Sequence, residues 1–208
     1  MQEPPGNHAA KPVNYAELTD QDVVAHALQG RESAYRELIG RYERPVFSVI
    51  YRMIRDREQA EDLAQETFIK VFNALNRYDP KYKFSSWIFK IAHNATVDLL
   101  RKKEPATLSL DGSPHARTEE QAEASSLTAV SHDENPEQYT SSKELGGEIE
   151  AALAELRPEY REALILWHIE GRPYDEIAEI MDLPLGTVKT YIHRGRNELR
   201  GLLEHLRS

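Results

Sequence analysis

The sequence predicts an all-α protein in which two small helical domains are joined by a flexible acidic linker, and three observations support this. In both halves of the 208-residue chain, apolar residues recur at helical spacing, and no segment alternates as a strand does. A stretch between the halves is rich in Ser, Thr, Glu and Ala and contains a single aromatic residue. Much of the net charge of −9 lies there, since residues 105–148 include two basic and nine acidic side chains.

Composition excludes several classes of protein. The chain contains no Cys, which excludes disulfides, thiol nucleophiles and Cys-ligated zinc, and its eight His residues show no HExxH-type spacing. We therefore expect neither a metal nor a cofactor. No apolar run approaches the roughly 18 residues of a membrane span, so membrane insertion is not expected. Residues 1–14 lack the apolar core of a signal peptide, which favours a cytoplasmic protein.

The first domain is predicted over residues 19–104, after a disordered tail at 1–18. Its helices are expected at 20–29, 32–54 and 57–75, followed by a fourth that starts after a cap at Ser85 or Ser86. Thr19 or Asp20 is a suitable cap for the first helix, because both side chains can accept a hydrogen bond from the backbone of its first turn. Pro45 is expected to bend the second helix.

The third and fourth helices each present a polar face opposite an apolar stripe. On the third helix this face consists of Glu61, Asp62, Gln65, Glu66 and Lys70. On the fourth helix the outward residues are Lys90, His93, Asn94, Val97 and Arg101. A polar, aromatic and basic loop connects the two helices at 76–84. Residues 70–103 hold eight basic and two acidic side chains, a charge balance that favours phosphate binding.

The linker is predicted over residues 105–145, with a short helix possible at 119–126, and the second domain over 146–208. The second domain has helical spacing at 148–156 and 158–169, then a short helix at 174–181, a turn at 182–186 and a longer helix at 187–206. The last three segments predict a helix-turn-helix. Its second helix points six polar or basic residues outward: Lys189, Thr190, Tyr191, His193, Arg194 and Arg196. A plain helical hairpin with a solvated basic face is the alternative.

Three segments together resemble a known family. AEDLAQETFIKVF at 60–72, FSSWIFKIAHNATVDLLRKK at 84–103 and PYDEIAEIMDLPLGTVKTYIHRGRNELR at 173–200 resemble the second and fourth conserved regions of bacterial sigma-70 factors. The short layout, with no room for a third domain between them, resembles the extracytoplasmic-function (ECF) group. The resemblance implies an RNA polymerase sigma factor that directs core polymerase to specific promoters, assists promoter opening and catalyses no reaction itself.

The resemblance also implies roles for particular residues. The residues implied in binding the RNA polymerase core are Glu61, Asp62, Gln65 and Glu66. Those implied at the melted minus-10 element are Asn76, Tyr78, Lys81, Lys83, Phe84, Lys90, His93, Asn94 and Arg101. Those implied at the duplex minus-35 element are Lys189, Thr190, Tyr191, His193, Arg194 and Arg196. Tyr191 departs from the family, whose members commonly have Arg there. An anti-sigma factor is a further partner that such a protein is expected to have.

Three other functions remain open on the residues alone. A helix-turn-helix regulator would use the C-terminal domain without polymerase, but it leaves the 60–103 pattern unexplained. A nucleic-acid enzyme needs an acid cluster, a nucleophile constellation or a phosphate loop, and none is recognisable. A protein-binding adaptor leaves two basic faces without a role. The acidic linker either provides spacing and solubility or, as the resemblance implies, follows the positively charged RNA path of the polymerase.

Overall fold

The computed structural model describes the backbone of residues 13–103 and 136–204, and the side chains of 13–103 and 146–204. Within those ranges every regular element is helical, which confirms the all-α prediction. The helices are α1 (Asp20–Leu28), α2 (Glu32–Ile54), α3 (Arg57–Asn73), α4 (Phe84–Lys103), α5 (Pro136–Glu155), α6 (Pro158–Leu164), α7 (Tyr174–Met181) and α8 (Leu185–Glu204). Short 3-10 turns form at Tyr15–Glu17 and Leu75–Arg77, and a π-helical turn at Ile165–Ile169 extends α6.

The first domain packs α1, α3 and α4 around α2. Its core contains the fully buried side chains of Leu38, Ile50, Val71 and Ile88. The ends of the helices follow their capping chemistry, since Thr19 accepts a hydrogen bond from the Asp22 backbone at the start of α1. The helix α2 matches its predicted range of 32–54 and remains helical through Pro45.

Three boundaries along the chain differ from those predicted from the sequence. The helix α4 begins at Phe84, and Ser85 and Ser86 are buried in its first turn and do not cap it. The end of the predicted tail belongs to the domain, because Tyr15 is buried and its carbonyl accepts a hydrogen bond from Arg41 at 2.6 Å. The helix α5 starts at Pro136, inside the predicted linker, whereas the possible helix at 119–126 lies outside the described residues.

The second domain is a helix-turn-helix supported by α5 and α6. The turn between α7 and α8 depends on Asp182, which adopts the left-handed conformation with φ of 56°. The Leu183 amide then donates to the Ala178 carbonyl at 3.0 Å and closes the turn. The helices α6 and α8 meet at Gly195, where a β-carbon would lie 3.1 Å from Leu164.

The two domains pack directly against each other. The helix α4 of the first domain lies along α7 of the helix-turn-helix, and α2 contacts both α5 and α6. Arg161 of α6 donates across this junction to the carbonyl of Met53 at 3.0 Å. Arg172 places its guanidinium over the Phe89 ring, 4.8 Å from the centroid. Local sequence patterns do not predict this docked arrangement, because its contacts join residues about 70 to 110 positions apart.

Candidate nucleic-acid interface

A polar surface on α3 carries all four side chains predicted to bind a protein partner. Glu61, Asp62, Gln65 and Glu66 are exposed. Two of them make ion pairs along the helix, Glu61 with Arg57 at 2.9 Å and Glu66 with Lys70 at 3.8 Å. Such pairs between solvated side chains contribute little to stability, so these carboxylates remain available to another molecule.

Beside these carboxylates runs an apolar groove between α2 and α3, of about 750 Å³. Its apolar walls come from Ile39, Phe47, Phe68, Ile69 and Phe72, and its charged rim includes Glu43, Arg44, Arg57 and Glu61. Among residues 13–103 and 146–204, Ile69 is the most exposed of the large apolar side chains, at 60%. The residues predicted from the sequence to bind the core did not include the apolar side of this surface. Ile69 lies on the same face of the helical wheel as Asp62, Gln65 and Glu66, and an apolar residue on that polar face is the signal that could have found it.

The loop between α3 and α4 presents a different aromatic residue from those predicted. Phe84 is only 1% exposed in the core, and Tyr78 is buried with its hydroxyl donating to the Tyr82 carbonyl at 2.6 Å. Neither ring is accessible to a base in this structure. Their burial contradicts the prediction that Tyr78 and Phe84 contact the minus-10 strand. Tyr82, in contrast, is 56% exposed. Asn76, Lys81 and Lys83 are exposed around it.

The outward face of α4 is shared between solvent and the second domain. Asn94 and Arg101 are exposed, and Arg101 pairs with Asp98 at 2.6 Å. Lys90 instead pairs with Asp182 of the helix-turn-helix at 3.2 Å. The Nδ1 atom of His93 lies 2.6 Å from a carboxylate oxygen of Glu162, which is almost completely buried. His93 therefore points away from the core of the first domain, and the second domain covers it.

A cleft of about 410 Å³ lies where the loop, α4 and α7 meet. The first domain contributes Arg77, Tyr78, Asp79, Tyr82, Ser86, Trp87 and Lys90 to its lining, and the second contributes Glu179 and Asp182. The accessible rings of Tyr82 and Trp87, beside Arg77 and Lys90, suit an unstacked base and its phosphates. Two carboxylates from α7 close the same cleft and give it a negative edge.

The second helix of the helix-turn-helix exposes most of the residues predicted to contact duplex DNA. Lys189, Thr190, His193, Arg194 and Arg196 are exposed on α8. Tyr191 is half-buried, and its ring packs against Tyr160 with centroids 5.3 Å apart, so this residue belongs partly to the core of the domain. Two cations on this face, Arg194 and Arg196, have aromatic neighbours in their own domain.

Arg194 and Arg196 are held on the surface of α8 by rings from the helices beneath. The Arg196 guanidinium lies over Trp167, 5.3 Å from the ring centroid. A hydrogen bond to Tyr160 raises the pKa of Arg194. The Trp167 ring orients the Arg196 guanidinium without burying it, and an exposed guanidinium can form two parallel hydrogen bonds to a guanine edge.

Two further features of the described residues bear on function. Among residues 13–103 and 146–204, no cluster of three His, Asp or Glu side chains could hold a metal ion. Within the described part of the chain, no helix is both long enough and apolar enough to cross a membrane.

Two family models match the two domains. The model described as Sigma-70 region 2 matches residues 38–105, and that described as Sigma-70, region 4 matches residues 146–199. The chain is 36% identical over 178 residues to the ECF RNA polymerase sigma factor SigW of Bacillus subtilis strain 168. That alignment covers 86% of this chain and 93% of SigW.

Two solved structures share the fold of this chain. CnrH in complex with the cytosolic domain of CnrY matches with a TM-score of 0.65 and 22% identity, over 89% of this chain and 97% of that one. The sigma factor RpoE in complex with the anti-sigma factor NepR from Bartonella quintana matches with a TM-score of 0.59 and 19% identity, over 82% and 96%. Because both regions match and the chain is 36% identical to SigW, this chain belongs to the extracytoplasmic-function group of the sigma-70 family, whose members direct RNA polymerase to promoters.

Proposed function

We propose that this sigma factor divides promoter recognition among three surfaces, each carried by one part of the fold. The groove between α2 and α3, with its acidic rim, binds the core polymerase. The loop at 76–83 and the outward face of α4 capture the melted minus-10 strand. The helix α8 enters the major groove of the minus-35 element. On this assignment the first domain spans residues 19–104 with Tyr15 packed onto its start, and the helix-turn-helix domain spans 146–208 with α5 beginning ahead of it at Pro136.

The groove beside Ile69 is the observation that carries most of this proposal. Five apolar side chains line one groove of about 750 Å³, with Ile69 60% exposed, and a contiguous apolar surface of this kind marks an interaction site more often than a lone exposed residue does. Carboxylates on its rim add charge complementarity to a basic partner, which increases the association rate and the specificity. An apolar centre with a charged rim is the usual anatomy of a protein interface.

A charge reversal tests the core-binding assignment. The double substitution Asp62→Lys and Glu66→Lys is expected to weaken binding to core polymerase at least tenfold, because two exposed carboxylates would become cations facing the same partner. The control is Glu58→Lys, which is exposed one turn before Asp62 on α3 and is not among the four residues assigned to core binding. Far-ultraviolet circular dichroism checks that α3 remains helical. Wild-type affinity of a folded double variant would contradict the assignment.

The polymerase provides the chemistry, and the sigma factor provides position and strand separation. No catalytic role is assigned to any residue of this chain, which acts where the polymerase acts, in the cytoplasm. Addition of the purified chain to core polymerase, with and without promoter DNA, separates this function from the alternatives. A helix-turn-helix regulator would bind DNA without polymerase, and an adaptor would bind polymerase without selecting promoters.

We also propose that an anti-sigma factor binds this chain. RpoE, which shares the fold, was solved with the anti-sigma factor NepR. The exposed apolar groove offers such a partner an attachment surface that would compete with polymerase. A competition experiment with core polymerase and a candidate from the same genome tests the idea. Simultaneous binding of both partners would argue against competition at the groove.

A further inference from the structure

The segment that connects α3 to α4 makes a tight turn at residues 79–82. The Tyr82 amide donates to the Asp79 carbonyl at 3.1 Å. The Asp79 side chain accepts a second hydrogen bond, from the Lys81 amide at 3.0 Å. Asp79 and Pro80 occupy the first two positions of the turn, where Asp and Pro are favoured. Local sequence therefore accounts for the turn itself, which places Tyr82 at its fourth position.

Two hydrogen bonds from outside the turn hold its backbone in place. The hydroxyl of Tyr78 donates to the Tyr82 carbonyl at 2.6 Å. The side-chain amide of Gln21, on α1, donates to the Pro80 carbonyl at 2.7 Å. These contacts join the turn to the core of the first domain on one side and, on the other, to a helix 59 positions earlier in the chain.

The Tyr78 side chain is itself fixed. Its buried ring packs against Phe84 and Trp87, with centroids 5.5 Å apart in each case. Burial raises the pKa of the Tyr78 hydroxyl above its ordinary value of 10.0, and the charge of Asp20 acts in the same direction, although a hydrogen bond with Gln21 opposes them. The hydroxyl therefore keeps its proton at neutral pH and can donate to the Tyr82 carbonyl.

The result is an exposed ring on a backbone that is already ordered. The side chain of Tyr82 is 56% exposed, while its amide and its carbonyl are both hydrogen-bonded. A binding surface that is ordered beforehand does not lose the free energy of ordering when its ligand arrives. If the loop were competent for only part of the time, its apparent affinity would fall by that fraction.

We propose that Tyr78 and Gln21 are positioning residues for minus-10 capture, which hold the turn at 79–82 so that the Tyr82 ring faces an unpaired base. This inference rests on the proposed function of the loop at 76–83. Tyr78 itself touches no DNA, because its ring stays in the core and its hydroxyl acts through the Tyr82 carbonyl. The hydroxyl separates this role from core packing, since Phe would fill the same space.

The test removes the Tyr78 hydroxyl and keeps the ring. The full-length variant Tyr78→Phe is combined with core polymerase, and this holoenzyme is titrated with a fluorescent fork-junction DNA. The single-stranded end of the probe carries minus-10 bases that the wild-type holoenzyme has selected from a random library. We expect affinity for the probe to fall about fivefold, the factor that corresponds to one net hydrogen bond. Affinity for core polymerase should not change, because Tyr78 does not line the groove between α2 and α3.

Tyr42→Phe is the matched control, since it also removes a buried hydroxyl that donates a hydrogen bond in the first domain. The acceptor is Asp20, whose carboxylate remains paired with Arg41 at 2.7 Å in this variant's parent structure. Probe affinity of the control should stay within about twofold of wild type. An equal loss in the Tyr42 and Tyr78 variants would reduce the effect to general loosening of the domain and overturn the proposal.

A double substitution tests whether the hydroxyl acts through Tyr82. With Tyr82→Ala in place, Tyr78→Phe should lower probe affinity by less than about twofold, because no ring remains to be positioned. The same fivefold loss in that background would show that the hydroxyl acts independently of Tyr82, and the positioning role would be wrong.

Gln21→Met tests the support from α1, because it removes the donor to Pro80 and keeps a side chain of similar length. We expect probe affinity to fall about threefold, less than for Tyr78→Phe, since Gln21 is exposed and water can replace its amide. The control is Gln29→Met, which makes the same change at the C-terminal cap of α1. Equal affinities of these two variants would remove Gln21 from the proposal.

The outcomes also separate this inference from the function on which it rests. If Tyr82→Ala binds the probe as tightly as wild type does, the Tyr82 ring takes no part in capture, and the proposed function of the loop fails together with this inference. If Tyr82→Ala weakens binding and Tyr78→Phe does not, the loop keeps its proposed function and the positioning role alone is contradicted.

Discussion

Tyr82 is the side chain that the structure makes available to an unpaired base in the loop at 76–83. It is 56% exposed, while the neighbouring Tyr78 is buried by Phe84 and Trp87. Tyr82→Ala should reduce open-complex formation about tenfold, because stacking of one base on an aromatic ring contributes on the order of 1–3 kcal/mol. Permanganate reactivity of thymines near the start site measures opening. Tyr82→Phe keeps the ring and should retain activity; equal loss in both variants would exclude stacking.

Arg194 provides a second test at the scale of one residue. Its guanidinium is exposed on α8, and interaction with Tyr160 raises its pKa. If it reads a base edge, Arg194→Ala should lower affinity for the cognate minus-35 duplex about ten- to hundredfold and relax preference at one position. A phosphate contact would instead lower affinity for all sequences and reduce the salt slope by about one. Unchanged preference and unchanged salt dependence would remove α8 from the groove.

Among the helices, the joint between α5 and α6 depends on one side chain. Arg161 donates to the carbonyls of Leu153 at 2.9 Å, Ala154 at 2.5 Å and Leu156 at 2.9 Å where α5 ends, and of these the Leu153 carbonyl also accepts a hydrogen bond from the Leu156 amide at 3.2 Å. It also donates to Met53 of α2. Desolvation by burial lowers the pKa of Arg161, and the nearby Arg55 acts in the same direction.

Removal of this side chain should destabilise the docked protein. Arg161→Met keeps the apolar stem but leaves several buried carbonyls unpaired, so the free energy of unfolding should fall by about 2–4 kcal/mol. Arg161→Lys retains the charge but lacks the planar fork of donors, and it should recover only part of the loss. Urea unfolding of the full chain measures both. A Met variant as stable as wild type would show that water satisfies these carbonyls.

The helices themselves are largely predictable from local patterns. The structure confirms the predicted ranges of α2 and α7, because apolar spacing and flanking residues are contained within each segment. The start of α4 was wrong, because Ser85 and Ser86 have the chemistry of caps but are buried by packing of the first turn. Burial by distant helices overrides a local capping preference in that case.

At the scale of the whole molecule, Glu170 couples domain docking to pH. Burial raises the pKa of Glu170 above its ordinary value of 4.5, although a hydrogen bond with Ser48 and the charges of Arg172 and Arg52 oppose the shift. A carboxyl whose pKa is raised in the folded state binds its proton more tightly there. Its ionisation therefore costs stability at neutral pH, and that cost disappears as the pH falls below 4.5.

The substitution Glu170→Gln tests this coupling. The free energy of unfolding should be higher than that of wild type at neutral pH, and the difference should shrink as the pH falls and vanish below the ordinary carboxyl pKa of 4.5. Titrating groups away from position 170 are common to both proteins and cancel in the difference. Glu159→Gln makes the same chemical change at an exposed position and is the control. A constant difference across pH would contradict the assignment to Glu170.

The sequence by itself determined the helical class, most helix boundaries, the basic exposed face of α8 and the family. These follow from spacing within a single segment, which local physical chemistry controls. Only the tertiary structure decided that Tyr82 and not Tyr78 is exposed, that Ile69 borders a groove, and that His93 faces Glu162. Each of these depends on which distant helix packs against a face, and residues far apart in the chain supply that neighbour.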